Sequence, residues 1–149
     1  MTHAILNASL RNVPIWIDEG LAKYFETPQG KRGFENPFLE QVRKSATGFF
    51  GRVPSLERLE KLQQIDQMGE REYRESWAWV HFLIHQSPET QKILAAYLRT
   101  LLPEKQVGIG SREAAQIQKG TPLTKLLKSY FPNYKKDFIE HYKIWELPE

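Results

Sequence analysis

Residues 70–86 read EREYRESWAWVHFLIHQ, a stretch whose apolar side chains would cover almost every side of a helix. These apolar residues recur at the spacing of three and four that an α-helix requires; they are Tyr73, Trp77, Trp79, Val80, Phe82, Leu83 and Ile84. A helix that is apolar on most sides is normally buried. The stretch therefore predicts a central helix around which the rest of the chain packs.

Helical spacing is also found on both sides of this stretch. Ser87-Pro88 and Thr121-Pro122 each combine a capping residue with a proline, which is typical of a helix start. We predict a mostly α protein, an irregular bundle of about six or seven helices forming a single domain over residues 1–149. The predicted flanking helices cover residues 14–26, 37–46, 55–65, 88–101, 122–130 and 133–145.

The composition excludes several classes of protein. The 149 residues are 40% hydrophobic and 26% charged, as in one ordinary domain with one core. The net charge is only +3, and the basic residues are scattered, so we expect no nucleic-acid partner. The lysines at 119, 125, 128, 135 and 136 are interpreted as a solvated surface.

The sequence also argues against a membrane-spanning segment and against sites built from cysteine. The longest apolar stretch, Trp77–Ile84, is much shorter than the roughly 20 residues that cross a bilayer, so no membrane span is predicted. The chain has no cysteine, which excludes a disulfide framework, a thiolate zinc site and a cysteine nucleophile. A metal would have to bind histidine and carboxylate side chains.

A second informative stretch is Trp16–Phe25, WIDEGLAKYF, which follows a histidine near the start of the chain. Fifteen residues separate His3 from Glu19, enough for a helix end, a turn and one turn of the next helix. The pattern resembles the metal-binding core of gluzincin metallopeptidases, where one helix carries H-E-x-x-H and the next carries a glutamate ligand. The resemblance implies that His3 and Glu19 are two of three zinc ligands.

This chain departs from the gluzincin pattern in one important respect. The first histidine should lie four residues before His3 and the general-base glutamate three before it, and both positions would fall upstream of Met1. Without them the water on a metal has no base to accept its proton. We therefore expect zinc in a longer parent protein, weak or absent zinc binding here, and no peptidase activity. Robust hydrolysis by this chain, abolished by Glu19→Ala, would contradict that expectation.

The resemblance continues into residues 71–84, which are similar to the tyrosine-containing helix of peptidase-MA-like and DUF1570 domains. It covers about residues 1–100, and residues 101–149 carry no signature. Because related peptidases stabilise the oxyanion with a tyrosine or histidine, the resemblance implies that role for Tyr73. The implied function is that of the C-terminal portion of a zinc metallopeptidase domain, with a peptide or protein as substrate.

Plainer interpretations exist for the same residues. His3 would be a surface or capping residue, and Glu19 an acid favoured by the positive end of a helix dipole. Gly20 would be a close contact that lets the first helix, predicted over residues 2–10, approach. The corresponding alternative function is a non-catalytic helical scaffold that binds a peptide or protein.

The sequence also allows predictions for the other three histidines and for the oligomeric state. His81 and His85 are spaced i, i+4, as two ligands of one metal could be, but no carboxylate accompanies them; a hydrogen-bonded core histidine is the simpler interpretation. His141 is predicted to face solvent. A missing upstream half would uncover apolar surface, so a homodimer or higher oligomer is expected.

Overall fold

The computed structural model describes residues 13–27, 38–48, 51–101 and 121–144. Within these ranges the chain forms seven α-helices and one 3-10 turn, with no β-strand. The mostly α bundle predicted from the sequence is confirmed. In chain order, the helices are α1 (Ile15–Glu26), α2 (Phe38–Thr47), α3 (Leu56–Glu60), α4 (Glu70–His85), α5 (Pro88–Thr100), α6 (Leu123–Tyr130) and α7 (Tyr134–Ile144), and the 3-10 turn Ile65–Gln67 lies between α3 and α4.

Helix α4 is the centre of the bundle, as its sequence predicts. Trp77 and Trp79, on different sides of the helix, are both completely buried. Helices α1, α2, α3 and α5 pack against α4, and α7 reaches it through aromatic contacts such as Trp79 with Phe138, whose ring centroids are 4.7 Å apart. No helix in the described ranges is long and apolar enough to cross a membrane.

The starts of α5 and α6 are stabilised in different ways. At α5, the Ser87 side chain accepts a hydrogen bond from the Thr90 amide at 3.1 Å, and Pro88 is the first helical residue, as predicted. At α6, Pro122 is the N-cap residue and provides no side-chain cap. Instead, Glu60 at the end of α3 accepts the Thr124 amide at 2.8 Å. A carboxylate distant in sequence thus caps this helix.

Helix α3 is shorter than the predicted range of residues 55–65. It ends at Glu60, and Ile65–Gln67 form a separate 3-10 turn. The Gln67 side-chain oxygen accepts the amides of Gln63 and Gln64 at 2.8 and 3.0 Å. Because this side chain satisfies backbone donors locally, it stabilises a turn where the leucine spacing alone predicts more helix.

A buried carboxylate joins α3 to α4. Glu75 of α4 is only 7% exposed. It accepts a hydrogen bond at 2.9 Å from Arg58 of α3 and one at 2.8 Å from Arg71, one turn earlier on α4. Two guanidinium groups thus compensate the burial of this charge.

Candidate functional site

Glu19 lies in the second turn of α1 and is half-buried. The helix starts directly after Pro14, whose carbonyl oxygen accepts the Asp18 amide at 3.1 Å. Proline suits this position because its φ is already close to the helical value. The side chains that follow Glu19 by one turn, starting with Lys23, lie on the same face of the helix. Glu19 is therefore fixed on a well-defined helix.

Gly20, the next residue, is where α1 crosses α4. A Cβ atom at this position would lie 2.8 Å from the Ser76 carbonyl oxygen and 2.9 Å from Val80 Cγ2. Only glycine lets the two helix backbones come this close. The predicted close contact at Gly20 is confirmed, but the neighbour seen in the structure is α4, whereas the sequence suggested the helix that precedes Gly20. That preceding segment lies outside the described residues.

Tyr73 lies near the start of α4 and is half-buried. Its ring centroid is 5.5 Å from Nζ of Lys23, a cation–π contact between α4 and α1. Lys23 follows Glu19 by one turn of α1. Tyr73, on α4, therefore lies near the part of α1 that carries Glu19. The oxyanion role of Tyr73 stays a prediction, and His3 lies outside the described residues.

The described part of the chain does not form a complete metal site. No group of three histidine, aspartate or glutamate side chains there is arranged to hold a metal ion. A catalytic zinc takes three protein ligands, and Glu19 is the predicted ligand that the described residues contain. The described residues therefore do not by themselves fit a zinc ion.

The sequence of this chain matches a family of proteins described as "Protein of unknown function (DUF1570)" over residues 4–105, about two thirds of its length. The chain belongs to the DUF1570 family. The matched region contains Glu19, Gly20 and Tyr73 and ends before α6. No curated protein and no solved structure matches the chain.

This DUF1570 chain also contains a cluster that the sequence analysis did not identify, formed by Tyr24, His81, His85 and His141. Nδ1 of His81 and Nε2 of His141 are 2.9 Å apart, a hydrogen bond between α4 and α7. The Tyr24 hydroxyl and Nε2 of His85 are 2.8 Å apart, which links α1 to α4. The cluster thus connects three helices near the carboxyl end of α4.

Two sequence predictions are decided by this histidine cluster. His81 is completely buried and hydrogen-bonded, which confirms the core-histidine interpretation. The prediction that His141 faces solvent is wrong, because only 4% of this residue is exposed. His141 follows the buried residues Tyr134 and Phe138 by seven and three positions, so it lies on the inner face of α7. That spacing was the signal available in the sequence.

Burial shifts the acid–base behaviour of the DUF1570 histidine cluster. It lowers the pKa of His141 to about 3, and the nearby His85 contributes to this shift by charge repulsion. Burial also lowers the pKa of His85. Tyr142, next to His141, donates a hydrogen bond from its hydroxyl to the Ala78 carbonyl at 2.6 Å, and burial raises its pKa.

Proposed function

We propose that this DUF1570 chain is the C-terminal part of a zinc-dependent peptidase domain in which Glu19 is a zinc ligand and peptides or proteins are substrates. The observation that carries the proposal is the placement of Glu19. It lies half-buried on α1, which contains the whole WIDEGLAKYF signature and is held against the central helix at Gly20. A ligand held on a rigid element suits a metal site.

The plainer interpretation of Glu19 as a dipole-favoured acid agrees less well with its position. The acid in the first turn of α1 is Asp18, while Glu19 begins the second turn. The effect of the helix dipole on a charge falls off within the first turn. Glu19 therefore gains less from the helix dipole than Asp18 does, which favours a role outside helix stability.

Each residue of the proposed site has a separate task. Glu19 and His3 would hold the zinc ion, and the Tyr73 hydroxyl would donate a hydrogen bond to the oxyanion. Bound zinc supplies a Lewis acid that polarises the peptide carbonyl and lowers the pKa of a water molecule. The proposal requires a further histidine and a general base, and no H-E-x-x-H motif occurs in this sequence. The chain itself is therefore expected to be inactive.

The test begins with the in-frame codons directly upstream of Met1. The proposal expects them to encode His-Glu, which would give H-E-Met1-Thr2-His3. The protein including those residues should then bind one zinc ion per chain and hydrolyse peptides, and Glu19→Gln should abolish both properties. Glu26→Gln is the matched control, because Glu26 is exposed at the end of the same helix.

Either of two results would overturn the proposal. One is a stop codon or unrelated residues upstream of Met1, and the other is zinc binding that Glu19→Gln leaves unchanged. The alternative, a non-catalytic scaffold that binds a peptide or protein, would then be the better explanation. The homo-oligomer expected from the sequence stays a prediction, and a monomer in light scattering at micromolar concentration would contradict it.

A further inference from the structure

An open groove of about 450 Å³ lies between α3 and α6. This volume is within the range of ligand-binding pockets. The groove shares no residue with the proposed zinc site or with the histidine cluster, so it is a separate candidate for binding. Its polar side chains are Glu57, Glu60 and Lys61 on the α3 side and Thr124, Lys125 and Lys128 on the α6 side.

Both carboxylates of the groove already contact other groups of the protein. Glu57 accepts a hydrogen bond from Nζ of Lys128 at 2.6 Å, an ion pair that joins α3 to α6. Glu60 is half-buried and accepts the Thr124 amide at 2.8 Å. The negative charge of each glutamate is therefore partly compensated within the protein.

Exposed lysines from three elements surround the groove. The hydrogen bond from Lys128 lowers the pKa of Glu57, and the charges of Lys61 and Lys135 act in the same direction. The sequence alone does not reveal this convergence, because Glu57 and Lys128 are 71 residues apart. Four positive charges thus surround two compensated carboxylates. These lysines are Lys61 directly after α3, Lys125 and Lys128 one turn apart on α6, and Lys135 in the first turn of α7.

A compact anion such as phosphate does not match this arrangement. Compact anions are commonly bound by backbone amides at the start of a helix. At the start of α6, the Thr124 amide already donates to Glu60. The positive charges are instead carried by lysines of separate elements, so a ligand that reaches several of them must be extended and carry several negative charges. Pro122 and the methylene chains of the lysines offer apolar contacts between those charges.

Among extended anions, an acidic peptide matches the groove better than a nucleic acid. A nucleic-acid strand carries a phosphate at every nucleotide, so its charges would also come close to Glu57 and Glu60. A peptide can place acidic side chains opposite the lysines and neutral residues opposite the two glutamates. The net charge of the whole chain, +3, also gives little long-range attraction for nucleic acid. The mixed charges of the groove therefore favour a peptide.

We propose that the groove between α3 and α6 binds an acidic segment of a partner protein, whose carboxylates pair with Lys61 and Lys125 on its two sides. Apolar residues of that segment pack on Pro122. Because exposed ion pairs are individually weak, several of them act together, and binding weakens as the salt concentration rises. The proposal is independent of zinc, because it uses no residue of the proposed zinc site. It also gives a function to α6, which lies beyond the family match.

Fluorescence anisotropy with a short labelled peptide, in which glutamates alternate with leucine and serine, tests the proposal at about 0.15 M salt, where distant charges are screened. Binding should weaken about tenfold in the double variant Lys61→Glu/Lys125→Glu, since each reversal replaces an attraction by a repulsion. The charge-matched control, Lys44→Glu/Lys92→Glu, changes exposed lysines of α2 and α5 and should keep the original affinity. An equal loss in the control would overturn the proposal, as would an acidic peptide that binds no better than its glutamine counterpart.

The variant Glu57→Gln gives a prediction of the opposite sign. It removes a carboxylate that repels the ligand and releases Lys128 from its ion pair. The acidic peptide should therefore bind about threefold more tightly to Glu57→Gln, a gain that a damaged fold does not produce. Unchanged or weaker binding to this variant would contradict the proposal.

Competition experiments decide the chemical class of the ligand. Millimolar inorganic phosphate should leave the acidic peptide bound, because a compact anion reaches too few of the lysines. A labelled single-stranded DNA should bind more weakly than the peptide, because its phosphates also meet Glu57 and Glu60. Displacement of the peptide by phosphate, or tighter binding of the DNA, would refute the assignment of an acidic peptide.

Discussion

Replacing Gly20 by alanine tests how firmly α1 is held against the central helix. The added Cβ would lie 2.8 Å from the Ser76 carbonyl oxygen, about 0.6 Å inside the 3.4 Å at which ordinary contact begins. It would also lie 2.9 Å from Cγ2 of Val80, a β-branched side chain with little freedom to turn away. One helix must therefore shift.

The size of the effect follows from two opposing contributions. Overpacking of a tight core contact costs about 1–3 kcal/mol. Alanine at a helical position gains about 1 kcal/mol over glycine, because glycine loses more backbone entropy on folding. The steric contribution is the larger one here, since one of the opposing atoms belongs to the backbone of a helix that is packed on several sides. We therefore take the upper part of the overpacking range, about 2–3 kcal/mol, and expect Gly20→Ala to lower the free energy of unfolding by about 1–2 kcal/mol.

Urea unfolding monitored by tryptophan fluorescence measures this change, because Trp16, Trp77 and Trp79 are all completely buried. Lys92, exposed on α5, provides the control for helix propensity. There, Lys92→Ala should be about 1 kcal/mol more stable than Lys92→Gly. A Gly20→Ala protein as stable as the original, or more stable, would refute the reasoning, because the helix crossing would then have room for a methyl group.

Two further predictions concern the buried carboxylate Glu75 and the half-buried carboxylate Glu60, and both are measured by the same urea titration. Glu75→Ala should lower the free energy of unfolding by about 1–3 kcal/mol, since Arg58 then keeps only its longer contact with Glu72, at 3.5 Å, across the helix pair. Glu60→Ala should cost about 1 kcal/mol, because the Thr124 amide loses its cap. The exposed Glu40→Ala is the control for both and should change the value by less than about 0.5 kcal/mol. Losses no larger than that of the control would contradict either prediction.

The parts of the fold that the sequence predicted correctly are those determined by local patterns. The apolar spacing of residues 70–86 predicted a buried central helix, and Ser87-Pro88 predicted the start of α5. The end of α3 was missed because a glutamine side chain, Gln67, competes for backbone amides, which apolar spacing does not reveal. The cap of α6 was missed because Glu60 is 64 residues away from its partner in the sequence.

The candidate site was predictable to a similar extent. Gly20 and the helical placement of Glu19 followed from the WIDEGLAKYF pattern. The position of His141 was missed, because charged neighbours in its sequence suggested an exposed helix face and outweighed its spacing from Tyr134 and Phe138. Its burial depends on the aromatic surface of α4 that α7 covers, and Trp79 and Phe82 belong to that surface. Such a contact depends on tertiary packing, which neither helix sequence specifies alone.

The cap that Glu60 provides has a consequence for how this protein can be divided. The family match ends at residue 105, yet the carboxylate inside the match stabilises a helix that lies beyond it. Phe138, also beyond the match, packs on Trp79 within it. The segment that the family match covers is therefore shorter than the segment that packs into one core. An expression boundary placed at residue 105 would cut through a continuous core, so a protein made for crystallisation or binding studies should extend through α7.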